Sequence, residues 1–483
     1  MTLLEIVLQW LLLGLVTVVV AFRGQLTIFH PVTYYLAFHF VVFVLRPTLI
    51  FAGDLDKVWT YMEFFPDHNE LSLTLQVTSA CLITFVFVFS FLCPSRRIFD
   101  LPRFTDLAPG EKRAMWLMMC LLTPLGLYSV FGASMGGRMT EGGVFVMTGS
   151  SGYLNDAQRV LIPICILFAW SLRWRLVSLI PLVGFLGYRF TEGWGRWTIL
   201  LTMVAVFLVY MWDKRRIWFS GRELVAVAVI GCLLAVGFHQ LGKNRNAGKE
   251  WMRSVLEDTT IEKAFERNTA VVRFTEDEIN DPDLLNNIDG LDFANFDFLT
   301  YVVAKVPEET EKYAYGVQHL QLFTEPIPRA IWEGKPVGAP VPYFNLNDYG
   351  NFIGLTVSII GDGWISAGFF GALLNMVFAA AVLAFVYHIF LRNQTSPYIV
   401  FPYLIFTAML IQFFRDGSIV SMMKFLLFTI ILPFSLWWFL ANVVFVTREQ
   451  RPIDLADDEE DAGYDLPSPQ DASTAEPQGE LVR

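Results

Sequence analysis

Charge is what this chain has least of. Only 17% of its 483 residues are Asp, Glu, Lys or Arg, while 54% are hydrophobic and 15% aromatic. That balance excludes a string of soluble domains, in which about a quarter of residues are charged. Many runs of about 20 apolar residues point instead to a polytopic membrane protein. Cysteine is scarce as well. Cys81, Cys93, Cys120, Cys165 and Cys232 fall in or at the ends of apolar segments, with no Cys-x-x-Cys pair among them. A disulfide framework and a Cys-based metal site are excluded, and core packing is expected for all five. The opening Met1-Thr2-Leu3-Leu4-Glu5 lacks the basic n-region of a cleaved signal, so its apolar run reads as a first retained span. There is also no internal repeat, which argues against the paired halves of many transporters.

What is present is a series of about eleven apolar spans: 3–21, 28–50, 71–92, 114–131, 158–172, 176–193, 197–212, 222–241, 364–391, 398–414 and 418–446. The expected fold is an all-α polytopic membrane protein with one large extracytoplasmic loop. Helices 1–8 occupy residues 1–242, the loop 243–363 and helices 9–11 residues 364–447, with a tail at 448–483. Lys and Arg set the orientation. Arg96, Arg97, Arg103, Lys112, Arg113, Arg173, Arg175, Lys214, Arg215, Arg216, Arg222, Arg448 and Arg451 all fall on one side, which is therefore cytoplasmic. The N-terminus and the long loop then face the periplasm. Much of the formal net charge of −11 comes from the tail (Asp457-Asp458-Glu459-Glu460-Asp461, Glu476, Glu480), which is poor in apolar residues and reads as disordered.

Within the loop, 249–275 has helical spacing and 276–292 reads as irregular chain, with Asp281-Pro282-Asp283 and Asn286-Asn287. The run from Phe296 to Val306 is an amphipathic helix, expected either on the membrane surface or packed inside a cap. Near the loop's end lies Phe323-Thr324-Glu325-Pro326-Ile327-Pro328-Arg329-Ala330-Ile331-Trp332-Glu333-Gly334-Lys335-Pro336. Its three prolines forbid a continuous helix, so it reads as a rigid arm holding Arg329 and Lys335 beside the bilayer.

Charges at a membrane edge are costly, which makes them functional candidates. On the outer side these are Arg189 and Arg196 in Gly187-Tyr188-Arg189-Phe190-Thr191-Glu192-Gly193-Trp194-Gly195-Arg196-Trp197, Arg329 in the arm, and Arg415 in Phe413-Phe414-Arg415-Asp416-Gly417-Ser418. Singly, each could be a snorkelling or helix-capping arginine. Together they form a cationic face, and arginine's planar fork suits phosphate where lysine acts as a point charge. Preorganised cations in a water-poor site stabilise a departing pyrophosphate without a metal. The Asp-x-Asp pairs Asp54-Leu55-Asp56 and Asp281-Pro282-Asp283 are short, common patterns that read as solvated loops rather than a metal site. An acceptor hydroxyl needs a proton acceptor. Asp362 stands at the outer mouth of the ninth span and is otherwise a helix N-cap; Glu192, Asp416, His239 and His319 are alternatives. The Gly-rich run from Gly132 to Gly149 matches no phosphate-loop motif and reads as a gate.

Pro328-Arg329-Ala330-Ile331-Trp332 with Lys335-Pro336 resembles the Pro-Arg-x-x-Trp-x-x-Lys-Pro signature of Wzy-type O-antigen polymerases, the oligosaccharide repeat-unit polymerases. The preceding Tyr313-Ala314-Tyr315-Gly316, the following Gly354-Leu355-Thr356-Val357-Ser358, Asp362 and Gly368-Phe369-Phe370-Gly371 extend the resemblance over roughly 300–372. Asp362 stands where the family often has Glu, and Glu333 where it often has Pro. The resemblance implies a metal-independent, cofactor-free, inverting glycosyltransferase of the GT-C type in the bacterial inner membrane. It would transfer a growing glycan from one undecaprenyl pyrophosphate carrier to a second lipid-linked repeat unit. Arg196 and Arg329 would bind the pyrophosphate, Lys335 and Arg415 assist, and Asp362 serve as acceptor-side base. The implied partners are the lipid-linked oligosaccharide, the membrane and a chain-length-regulating co-polymerase; no nucleic acid is expected. An O-antigen ligase or a lipid-linked oligosaccharide transporter is the alternative, though the arm argues against the ligase and the missing repeat against the transporter.

Overall fold

The computed structural model describes residues 1–53, 56–93, 107–131, 137–139, 145–147, 156–191, 196–218, 220–221, 225, 294–324, 327, 331–332, 344, 346 and 356–445. Among these, seven helices are long and apolar enough to cross a membrane. They comprise α1 (Leu3–Phe22), α2 (Pro31–Gly53), α4 (His68–Leu92), α5 (Pro109–Phe131), α11 (Ser358–Arg392), α12 (Pro397–Asp416) and the last, Leu427–Val444. A short α3 (Lys57–Tyr61) precedes α4. Three shorter apolar helices lie between: α6 (Leu161–Ser171, led by a 3-10 turn Ala157–Val160), α7 (Ile180–Thr191) and α8 (Arg196–Asp213). The only strands among the described residues, β1 (Gly137–Met139) and β2 (Phe145–Met147), pair antiparallel within the Gly-rich run.

The sequence explains the helix starts. Thr2 and Asp67 each form a capping box with a glutamate three residues on, Glu5 and Glu70. Two π turns have a common cause. Phe40–Leu45 in α2 ends two residues before Pro47, and Leu427–Ile431 ends two before Pro433. Proline cannot donate to the preceding turn, and the wider turn absorbs the mismatch. The last helix accordingly runs as α13 (Ile419–Leu426), that π turn, α14 (Leu432–Phe439) and a final π turn, Leu440–Val444.

Helix α1 buries only the stripe Ile6, Gln9, Leu13 and Val20, packed parallel to α4, where Gln9 donates to the Leu75 carbonyl. Leu3, Leu4, Leu8, Leu11 and Leu15, with Phe87, Phe91, Phe378 and Phe385 of the long helices, turn outward. An outer surface that apolar is suited to lipid. Cys81, Cys93 and Cys165 are buried as expected, but Cys120 is exposed. It sits on the outward face of α5, where a small apolar thiol suits a lipid-facing position as well as a core. Cys232 lies outside the described residues.

Hydrogen bonds identify the two ends of the bundle. At the lower end Tyr398 donates to Glu111 Oε1 (3.3 Å), Trp437 donates to the Glu111 carbonyl and Ile28 donates to the Ile217 carbonyl. At the upper end lie Arg189, Arg415 and the start of α8. The described chain after α8 begins at the lower end and, beyond Val225, resumes at Ala294 at the upper end. The expected eighth span, 222–241, lies outside the described residues except for Val225, and 249–275, 276–292 and the tail lie wholly outside them.

Two short helices from the polar interval enter the bundle at the upper end. Helix α9 (Asn295–Lys305) is buried from Asn295 to Ala304. Of the two arrangements expected for it, this is the packed one and not the surface one: its polar side chains face partners inside the protein. Asp297, wholly buried, accepts two bonds from Arg46 of α2, from Nε at 2.9 Å and Nη2 at 3.0 Å. The second short helix is the beginning of α11.

Candidate functional site

Helix α11 is not one rod. Its backbone breaks at Ala367 and Gly368, the latter at φ 60°. The segment 358–366 therefore folds back on the segment after the break. Gly363 and Gly371 make this possible: a Cβ on Gly363 would stand 2.6 Å from the Gly371 carbonyl oxygen. At Gly368 a Cβ would stand 2.8 Å from the Tyr313 hydroxyl as well as requiring positive φ, so only glycine fits. The expected ninth span thus begins after the break, and Asp362 is no N-cap but the fifth residue of a folded-back half-helix.

The Tyr313-to-Gly316 stretch completes the break. A helix that ends inside a protein leaves carbonyls without donors. Ala314 N–H donates to the Ile365 carbonyl (2.8 Å) and Tyr315 N–H to that of Ser366 (2.9 Å). The Trp364 indole donates to the Val306 carbonyl, tying the half-helix to the end of α9. Desolvation, with Tyr315 beside it, pushes the Tyr313 phenol above its usual range.

These contacts converge on Asp362, whose side chain is 4% exposed. Gln318, in the 3-10 turn Val317–Leu320, reaches Asp362 Oδ1 at 3.4 Å and donates to Ser366 Oγ at 2.6 Å. Asn375, beyond the break, donates to Oδ2 at 3.2 Å and to the Ile359 carbonyl at 3.3 Å. His319 Nε2 lies 3.4 Å from the same Oδ2, and its side chain is 29% exposed. A buried carboxylate is thus held by two amides and by one imidazole that reaches the surface.

Arg415 ends α12 beside this half-helix. Gly417, the left-handed cap of α12, lies against the Ser358 carbonyl, and Asn295 of α9 donates to the carbonyls of both Thr356 and Arg415. Arg415 itself pairs with Asp416 at 3.3 Å. Asp416, with Gln412 also donating to it, serves as a counter-charge there. Arg189 donates to Gln158 Oε1 at 2.8 Å and to Thr198 Oγ1 in the first turn of α8. Arg196 is the first residue of α8, two before Thr198. Nearby Arg159 pairs with Asp156 and stacks on Phe425 of α13, with 3.4 Å from guanidinium carbon to ring centre. The short helix α10 (Gln321–Thr324), which leads into the arm, packs on α13 as well. Neither a family model, nor a curated protein, nor a solved structure matches this chain.

Of the expected site residues, Asp362 and Arg415 lie on elements that touch at Ser358 and Gly417, and Arg196 starts a helix at the same end of the bundle. Arg329 and Lys335 lie outside the described residues, as do Glu192, His239, Asp54, Asp281 and Asp283. Of the arm, Ile331 and Trp332 are exposed. His319, ranked only as an alternative, is a neighbour of Asp362. The sequence reading missed Gln318 and Asn375, which stand 44 and 13 residues from Asp362 and carry no motif. It also missed Arg46, for which a signal existed: an arginine within an apolar span.

Proposed function

We propose that this chain is a membrane glycosyltransferase, an oligosaccharide repeat-unit polymerase of the bacterial inner membrane. In this reading it joins undecaprenyl-pyrophosphate-linked repeat units on the periplasmic face, inverting the configuration at the transferred sugar without a metal. The observation that carries it is the Asp362 cluster. The residues that resemble the polymerase signature region, Tyr313 to Gly316, Asp362, Gly368 and Gly371, are the ones that build and close a buried polar site at a helix break.

The roles follow from charge and position. Arg196 and Arg329, with Lys335 and Arg415, bind the donor pyrophosphate and stabilise the charge that grows on it as the glycosidic bond breaks. Asp362 serves the acceptor hydroxyl, whose proton must leave as the new bond forms. In the sequence Arg329 stands two residues before Ile331 and three before Trp332, whose exposed apolar surface suits a polyprenyl chain or headgroup border.

One observation favours a second reading. A broken helix with polar side chains at the break is also a transporter device, found as a pair in related halves. Among the described residues α11 is the only helix broken in this way, so the lipid-linked oligosaccharide transporter ranks second.

Purified protein in proteoliposomes with a lipid-linked repeat unit, with and without chelator, separates the two. Ladder formation that survives the chelator is expected. Movement of the lipid-linked unit across the bilayer with no ladder would transfer the case to the transporter. In the same assay Arg329→Lys should lose activity nearly as completely as Arg329→Ala, because lysine cannot reproduce a bidentate contact. Recovery with lysine would reduce the site's need to positive charge alone.

A further inference from the structure

Asp362 is poorly placed to touch an acceptor sugar itself. Its side chain is 4% exposed, Oδ1 faces Gln318, and Oδ2 faces both Asn375 and His319. The two amides donate to the carboxylate and His319 Nε2 stands 3.4 Å from Oδ2, so these three groups lie between it and an incoming hydroxyl. His319 differs from the two amides in three respects. It is the most exposed of the groups on Asp362 that can accept a proton, its Nε2 points at the carboxylate, and no described residue hydrogen-bonds its Nδ1. It is carried on a 3-10 turn that leads within a few residues into the arm bearing Arg329.

We propose that His319 is the group that takes the acceptor proton and that Asp362 is its positioning residue. The inference rests on the polymerase reading and changes its assignment of the base. With Nε2–H donated to Asp362 Oδ2, the neutral imidazole leaves its lone pair on Nδ1, the nitrogen turned away from the carboxylate. As the acceptor oxygen bonds to the anomeric carbon of the donor glycan, the bond from that carbon to pyrophosphate breaks. The pyrophosphate leaves with the electron pair, and the hydroxyl proton passes to Nδ1. The imidazolium so formed lies against the Asp362 carboxylate, which stabilises it in place. Gln318 and Asn375 hold the carboxylate at fixed angle, and the Gly363–Gly371 contact holds the half-helix that carries it.

The test is the rate of ladder formation by full-length protein in proteoliposomes, on a defined undecaprenyl-pyrophosphate-linked repeat unit, for the wild type, His319→Gln and His319→Ala. Glutamine keeps an N–H toward Asp362 but has no basic nitrogen, so His319→Gln should fold normally and lose about 10²–10⁴-fold in kcat with little change in KM. His319→Ala leaves an imidazole-sized gap, and free imidazole should restore about tenfold or more of its rate while leaving His319→Gln unchanged. A purely structural histidine gives no such rescue. Wild-type turnover by His319→Gln would overturn the proposal, as would an alanine variant whose loss imidazole does not relieve. If the wild type itself makes no ladder, the polymerase reading fails, an outcome distinct from a wild type and His319→Gln that polymerise alike.

Discussion

Two buried aspartates, Asp297 and Asp362, show what the polar interval contributes to the bundle. Both sit on short helices inserted at the upper end, and both are almost fully buried. Asp297 meets a guanidinium that satisfies both of its oxygens at 2.9 and 3.0 Å and is itself 1% exposed. That pair is closed: charge is neutralised, geometry is bidentate, and nothing reaches the surface. Asp362 meets two amides and an imidazole at 3.2–3.4 Å, and the imidazole reaches the surface. The first arrangement fixes α9 against α2. The second holds a carboxylate ready to act on a neighbour. The same residue type serves as clasp or as machinery according to whether its partner is a sealed guanidinium or an imidazole that reaches the surface.

The comparison breaks most readily at the clasp. Arg46→Ala should destabilise the protein by about 3–5 kcal/mol, because it strands a buried carboxylate. Thermal unfolding in detergent reads the loss, and a double variant, Arg46→Met with Asp297→Leu, should recover most of it. A single variant as stable as wild type would remove the clasp from the account. A smaller effect is expected at the helix crossing. Gly363→Ala places a Cβ against the Gly371 backbone, with an expected cost of about 1–3 kcal/mol from overpacking and a loss of polymerisation beyond what stability explains. The smallest change in stability should come from Asn375→Ala, about 1–2 kcal/mol for one lost donor. Its polymerisation rate should fall all the same, and an unchanged rate would show that Asp362 needs no holding from beyond the break.

The long apolar spans were legible because twenty apolar residues in sequence have few other uses, and α1, α4 and α12 lie close to where hydropathy puts them. The π turns and the break in α11 were not. Each depends on one proline or glycine acting against a particular neighbour: Gly363 beside Gly371, and Gly368 beneath Tyr313. Helix α9 left two readings open for a related reason. The run from Asn295 to Lys305 mixes aspartate, threonine and lysine with aromatic residues, as a surface helix does, and nothing local reveals that Arg46, 251 residues away, closes on Asp297. Asp362 was legible as a candidate through its glycine-flanked position and the resemblance. Its dependence on His319, Gln318 and Asn375 is a property of the fold-back and has no trace in spacing.

The claim at the centre is that Asp362 is kept for chemistry and Asp297 for structure. Its most direct test is Asp362→Asn, measured for polymerisation of a lipid-linked repeat unit at saturating substrate alongside its thermal unfolding. The expected result is a fall of about 10²-fold in kcat, the range of a lost acid–base contribution, with a melting temperature close to that of the wild type. Turnover equal to wild type in a well-folded Asp362→Asn protein would contradict the account.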